Sequence, residues 1–245
     1  MTIAERTTYR ADVLVIGAGG AGLRAAIEAA TAGARVAVVC KSLLGKAHTV
    51  VAEGGIAAAI GSVDAHDNWR VHFRDTMAGG KYINNWRMAE LHAKEAPGEI
   101  GNLEQWGALF DRTRQGGIMQ RRFGGHTFAR LVQVGDRTGI ELLRTLQDRT
   151  VELDLDVYME YTITRLLLRD GRVTGAAGYV RETGRVVVFE APAVIVSTGG
   201  SGRIYSVTSN SWEGTGDGQA LALEAGAELI DMEFTRIPRM ISQFN

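Results

Sequence analysis

The segment Ala11 to Gly22, ADVLVIGAGGAG, restricts this chain more than any other part of it. Ala11 to Ile16 is a short apolar run of the kind that forms a fully buried strand in a parallel sheet. It runs into Gly17, Gly19 and Gly22, which satisfy the spacing G-x-G-x-x-G. The first glycine permits a tight turn. The second lets the backbone approach a pyrophosphate, and the third lets helix and strand pack closely. Leu23 to Ala32 then has helical spacing, with Leu23, Ala26, Ile27 and Ala30 on one face. Gly33 is a helix stop, and Arg35 to Val39 reads as a second buried strand. Strand, glycine turn, helix and strand make a βαβ unit. The helix N-terminus offers N–H groups and a positive dipole end to phosphates. A merely glycine-rich turn would not need that context, so the motif reads as a dinucleotide site built on Gly17, Ala18, Gly19, Gly20, Ala21 and Gly22.

One part of the usual fingerprint is missing. An acidic residue at the end of the second strand normally holds the ribose hydroxyls. Cys40, Lys41 and Ser42 stand there instead, which disfavours a plain NAD site and leaves Lys41 or Ser42 for the adenosine end. Cys40 is the one cysteine in the chain. A disulfide framework, an iron–sulfur cluster and a Cys-based zinc site are therefore excluded within it. Closing an apolar strand, Cys40 reads as a small core residue.

Downstream, Ser42 to Ile60 reads as a loop, Asp67 to Gly107 as mostly helical, and Gly116 to Gly125 as turn-rich. Trp86 to Lys94 shows a mixed amphipathic pattern. Arg137 to Asp148 places Ile140, Leu143 and Leu146 about a turn apart, as an amphipathic helix does. From Val157 the period shifts toward alternation. Val157 to Leu168, Val173 to Val180 and Val186 to Phe189 read as a small antiparallel meander, with turns at Asp170-Gly171 and Thr183-Gly184. Ala193 to Ser197 is a further buried strand, and Gly218 to Ala225 is helical. The expected class is α/β, Rossmann-like, with a parallel sheet plus that meander.

The net charge of −1, with no long run of one sign, does not match the basic footprint of a nucleic-acid binder. Arg112, Arg114, Arg121 and Arg122 form the richest local cluster, as a solvated loop or an anion-facing one. Met1 to Arg10 lacks the apolar stretch of a secretion signal. Arg24, Glu28 and Arg35 interrupt Val13 to Val39, so it does not read as a membrane span. A soluble, cytoplasmic chain is expected, able to dock on a membrane partner.

Lys46 to Gly55, KAHTVVAEGG, places a histidine in a small-residue loop after the second strand. Loops at the carboxyl ends of such strands face the ligand, although a lone histidine is more often structural. Here a family resemblance enters. GAGGAGLRAA, HTVVAEGG, RRFGG, DRTG, STGGSGR, TGDG and DMEF follow in this order, and the chain resembles succinate dehydrogenase and fumarate reductase flavoprotein subunits from about Ala11 to Phe234. The resemblance implies FAD rather than NAD, with the histidine matching His48 carrying the flavin covalently through its 8α-methyl group. It implies that Ala47 and Thr49 flank that site and that Ala52, Glu53, Gly54 and Gly55 line the flavin with backbone groups. Thr198, Gly199 and Gly200 match a segment that returns to the FAD. Asp217 matches an acidic residue near the cofactor, and it also reads as a helix N-cap. Tyr161, Thr162 and Ile163 match a strand on the adenine side. Lys46 and Ala47 replace the family's usual Arg-Ser, which keeps the charge and loses a hydroxyl.

The family continues after DMEF with a Gln, an aromatic residue and His-Pro-Thr-Gly. This chain has Pro238 where that histidine would stand, and Thr235 to Asn245 carries no family motif. Residues 1–232 are expected to form the larger part of the FAD-binding domain. Residues 233–245 would be a stump of the capping domain, itself essentially absent, or an aberrant tail. The family's catalytic histidines and arginines lie downstream, so no catalytic residue is assigned. The resemblance implies oxidation of succinate to fumarate, or the reverse. Electrons would pass to an iron–sulfur subunit, with membrane anchor subunits holding the assembly at the inner face of the cell membrane. The alternatives are a non-catalytic FAD-binding fragment, or a soluble relative of the L-aspartate oxidase or soluble fumarate reductase type.

Overall fold

The computed structural model describes residues 6–234, so the tail Thr235 to Asn245 lies outside the described residues. The chain divides into two compact units, one made of the residues up to Thr49 and from Leu146 on, the other of Val50–Thr145.

The first unit begins with β1 (Thr7–Arg10), β2 (Val13–Ile16), α1 (Gly20–Thr31) and β3 (Val36–Cys40). The βαβ expectation is met. Leu14, Val15, Val38 and Val39 are essentially solvent-free, and side chains of this kind contribute about 1.5–3 kcal/mol each by leaving water. Leu23, Ala26 and Ile27 form the buried face of α1. The polar run Thr7–Arg10 gave no strand signal, yet β1 forms, because it gains a ladder along a strand far downstream in sequence.

The second unit holds β4 (Ile56–Ala57), α2 (Trp69–Gly79), α3 (Trp86–Gln105), β5 (Gln120–Arg121) and β6 (Leu131–Val132), and α4 (Thr138–Glu152) starts in it. Sheet order is β4-β6-β5, antiparallel throughout. Its strands are two residues long, too short for any periodicity, so the expected loops at Ser42–Ile60 and Gly116–Gly125 contain strand pairings. The expected helical region splits in two, and each helix has its own asparagine cap. Asn68 accepts from the Arg70 and Val71 N–H groups, and Asn85 from those of Arg87 and Met88. The pattern at Trp86–Lys94 needs correction. Trp86, Met88 and Leu91 are exposed, and the buried face of α3 is Ala89, Ala93, Ile100 and Leu103. In α4, Leu143 and Leu146 are buried, but Ile140 is half exposed and is not part of the packed stripe.

The chain returns to the first unit through β7 (Asp156–Met159), β8 (Tyr161–Arg169), β9 (Arg172–Val180), β10 (Val186–Glu190), β11 (Ala193–Val196) and α5 (Asp217–Glu224). Here the single strand expected over Val157–Leu168 is two strands in two sheets. β7 lies parallel to β3, with Cys40 opposite Met159, and completes the parallel order β11-β2-β3-β7. β8 opens the second sheet, β1-β10-β9-β8. Glu160 makes the corner at φ +63° and its N–H donates to the Ser42 carbonyl at 3.2 Å. A non-glycine residue in this region gives no sequence warning. The turn Asp170-Gly171, with φ of +52° and +73°, has the left-handed pair that suits a two-residue hairpin. Tyr9, Tyr158, Tyr161 and Phe189 pack where the two sheets of this unit meet, with ring centroids 4.6–6.2 Å apart.

Candidate cofactor site

The turn after β2 is shaped by the protein's own close contacts. Gly17 adopts φ +113°, and a Cβ there would strike the Ser197 carbonyl, where the chain leaves β11. A Cβ on Gly22 would strike the Gly17 carbonyl oxygen, so the third glycine brings the helix onto the turn, as the motif requires. Gly19 is the N-cap of α1 and carries no side-chain cap. The Gly20 N–H donates to the Thr49 hydroxyl at 3.1 Å. Thr49 thus ties the histidine loop to the helix N-terminus, and a Cβ on Gly19 would press on both Thr49 and Ala47.

His48 opens a 3-10 turn, His48–Val51. Its Nδ1 accepts the Ser211 backbone N–H at 3.2 Å. An imidazole nitrogen that accepts this bond carries no proton, so in the neutral ring the proton sits on Nε2. Nothing in the sequence pointed to Ser211, because its contribution is a backbone group that is distant along the chain.

Lys41 and Asp217 meet across the same unit. Lys41 Nζ lies 2.8 Å from the Asp217 carboxylate, which also accepts from the Thr215 hydroxyl at 2.5 Å. Burial pushes the Asp217 carboxyl up, but the bonds from Lys41 and Thr215 outweigh it and hold the group below the usual carboxylate range. Asp217 is the first residue of α5 and not its N-cap, a place taken by Gly216. The cap needs a left-handed backbone, φ +81°, which glycine adopts freely. Thr198 Oγ1 accepts the Gly218 N–H at 3.0 Å, and the Gly199 carbonyl accepts from Gln219 Nε2 at 3.3 Å. Cys40 is buried, which pushes its thiol up to about 11; it donates to the Ser42 carbonyl. Tyr161 and Ile163 turn their side chains into the core between the sheets, and the Tyr161 hydroxyl bonds that of Tyr9 at 3.2 Å. Of that trio only the Thr162 side chain is outside this cluster. A recess of about 320 Å³ opens at Gly200, lined also by Asn210, Gln219, Met232 and Phe234.

The second unit holds Ala52, Glu53, Gly54 and Gly55. The Ala52 carbonyl accepts the Gly139 N–H at 2.8 Å, and the Arg121 guanidinium binds the carbonyls of Glu53 and Gly54 at 3.1 and 2.8 Å. What this turn has left to offer a ligand is chiefly N–H. The arginine cluster resolves in part: Arg121 is a structural clamp, and Arg112 pairs with Glu104. A second group was not legible at all. Arg130 is fully buried and binds Asp67 through two nitrogens at 2.9 and 3.2 Å, and Asp75 at 2.9 Å. Beside it, burial and then the Arg130 charge push the His72 imidazole down to about 4.

The geometry of the first unit is that of a dinucleotide site, and a family model described as "FAD binding domain" matches residues 12–241. The chain belongs to the FAD binding domain family. FAD is its cofactor. A fumarate reductase (CoM/CoB) chain from Methanothermobacter marburgensis is 46% identical over 94% of this chain. The succinate dehydrogenase flavoprotein subunit of Rickettsia bellii is 38% identical over 93% of it. The solved structure of Mycobacterium smegmatis Sdh1 in complex with UQ1 superposes with a TM-score of 0.93 at 59% identity, covering 94% of this chain and 40% of that one. The chain spans 42% and 39% of the length of the two curated relatives.

The residues present fit FAD. In the first unit Gly200 has open space where a Cβ would sit, and it lacks the positive φ that would demand glycine. The fold itself asks for no glycine there, whereas a ligand approaching the backbone would. When bound, FAD supplies two-electron redox chemistry. The chain's own contribution is a helix N-terminus with a glycine N-cap, which leaves N–H groups after Gly20 for phosphates, a polar Lys41–Asp217 pair, and a histidine with a fixed tautomer.

Proposed function

We propose that this chain is the cofactor-carrying part of a flavoprotein that interconverts succinate and fumarate and passes electrons to an iron–sulfur subunit. Membrane anchor subunits would hold that assembly at the inner face of the cell membrane. Among the described residues, no helix is long and apolar enough to cross a membrane. Gly17 to Gly22 and the N-terminus of α1 would take the pyrophosphate. Lys41, Ser42 and Thr162 would face the adenosine end, and Thr198 to Gly200 with Asp217 the remainder. Ala52 to Gly55 would offer N–H groups, which suit the electron-rich edge of a reduced ring.

The observation that carries this reading is the hydrogen bond from the Ser211 N–H to His48 Nδ1. It leaves Nε2 as the nitrogen for a covalent bond to the flavin 8α carbon. When bound, FAD would supply the 8α carbon at this point, and His48 would give up the Nε2 proton to solvent and offer that nitrogen's lone pair. Afterwards Nδ1 remains an acceptor, so the Ser211 contact survives attachment. Such a linkage retains the cofactor and raises its potential.

An absorbance spectrum of the purified protein before and after acid precipitation tests this. Yellow colour that stays with the precipitate, and is absent in His48→Ala, is the expected result. Colour released to the supernatant would overturn the covalent bond, and a colourless folded protein would overturn flavin binding.

A further inference from the structure

We infer that Arg203 and Trp212 are positioning residues that hold the tautomer of His48 by clamping the loop that supplies its hydrogen bond. The inference rests on the reading that His48 meets the flavin, and it adds the device that keeps His48 correctly oriented.

The loop from Ser201 to Gly216 leaves the glycine segment after β11 and enters α5. It closes on itself at several points. The Arg203 N–H donates to the Gly214 carbonyl at 2.9 Å, and the Gly214 N–H to the Ser211 carbonyl at 3.2 Å. Asn210 donates to the Thr208 hydroxyl through both its backbone and its side chain, at 3.1 and 3.0 Å. A Cβ on Gly202 would strike the Asn210 amide, so the two limbs of the loop touch. Ser211 belongs to this arrangement, and its N–H donates to His48 Nδ1 at 3.2 Å. The contribution of Ser211 to His48 is its backbone N–H.

The remaining contact is on the outside. The Arg203 guanidinium lies 3.5 Å from the centre of the Trp212 ring, close stacking for a cation on an aromatic face. Trp212 is 78% exposed, so burial does not explain a tryptophan there. The stack joins the residue whose N–H binds Gly214 to the residue next to Ser211. It therefore bridges the two limbs of the loop beside the donor. Releasing it frees the Ser211 peptide to rotate, and His48 Nδ1 loses the partner that selects the tautomer.

The test uses the full chain with ¹⁵N-labelled histidine, in the parent, Trp212→Ala, Trp212→Phe, Arg203→Ala and Arg203→Lys. His48→Ala assigns the His48 signals. Two readouts are taken: the ¹⁵N shifts of His48 before flavin loading, and the acid-stable flavin after it. The parent is expected to show Nδ1 as the bare, hydrogen-bonded nitrogen. Trp212→Ala and Arg203→Ala are expected to shift toward exchange between tautomers, the population with bare Nδ1 falling relative to the other by roughly fivefold, the scale of an exposed cation–π contact. Trp212→Phe and Arg203→Lys keep the ring and the charge and are expected to restore most of it. A merely structural role would lower stability without moving the tautomer. Unchanged His48 shifts in both alanine variants would overturn the inference, as would a parent in which Nδ1 carries the proton. Absence of acid-stable flavin in the parent would instead overturn the covalent reading, and the nitrogen shifts would still decide the role of the loop.

Discussion

The two units solve the problem of being specific in opposite ways. The first packs an almost purely apolar parallel sheet and takes its specificity from backbone: glycine at Gly17 and Gly22 where no side chain fits, and a peptide N–H on His48. The second has three two-residue strands and places a buried arginine between two carboxylates. The second unit adds to its apolar core, which includes Ile100, Leu103, Phe110 and Val132, an ion trio that strongly penalises the loss of one partner. The contrast teaches that one unit is made specific by close backbone contact and the other by buried charge.

The largest effect expected from this contrast is at Arg130. Arg130→Met leaves Asp67 and Asp75 buried without their partner, and a loss of about 3–5 kcal/mol is expected in urea unfolding. Asp67→Asn and Asp75→Asn added to Arg130→Met are expected to recover part of it. A loss under about 1 kcal/mol in Arg130→Met would break the comparison, because the second unit would then not depend on its ion trio.

His72 sharpens the same point through pH. Its folded value of about 4 lies below the ordinary 6.5, so the neutral ring is the one the fold accepts. Above pH 6.5 this contribution is complete. As pH falls from 6.5 to 4 the unfolded chain takes up a proton that the folded chain refuses, and about 3 kcal/mol is lost. His72→Gln is expected to flatten this part of the stability profile. An unchanged pH profile would remove His72 from the account.

In the first unit the expected losses are smaller and come from sterics. Gly22→Ala forces a methyl onto the Gly17 carbonyl and is expected to cost about 1–3 kcal/mol, together with flavin binding. The smallest stability effect belongs to Gly200→Ala, where space is open. The melting temperature is expected to hold within the effect of roughly 0.5 kcal/mol, while FAD retention drops. Equal retention in Gly200→Ala and the parent would mean that the ligand does not approach Gly200, and that this glycine serves neither fold nor cofactor.

Most of the first unit was legible because its signals are local. A strand, a glycine turn and a helix announce themselves within about twenty residues, and the hairpin at Asp170-Gly171 needs only two. The corner at Glu160 was not legible, since nothing at that position marks the change from one sheet to the other. Nor was β1, whose polar residues form a strand only because β10 lies beside them. In the site, the histidine, the glycines and Thr49 were visible, but Ser211 was not, and motif spacing does not encode the bonds from the Ser211 N–H to His48 and from the Gly20 N–H to the Thr49 hydroxyl. The Lys41–Asp217 pair joins residues 176 positions apart.

By itself the sequence determined the βαβ unit, the dinucleotide class and the histidine loop, because these depend on residue type and spacing over a short stretch. Only the tertiary structure decided which nitrogen of His48 is bare, which acid Lys41 serves, and that Arg130 and His72 are buried together. Those are matters of distance between parts far apart along the chain, and of the cost of removing charge from water, which depends on everything packed around it.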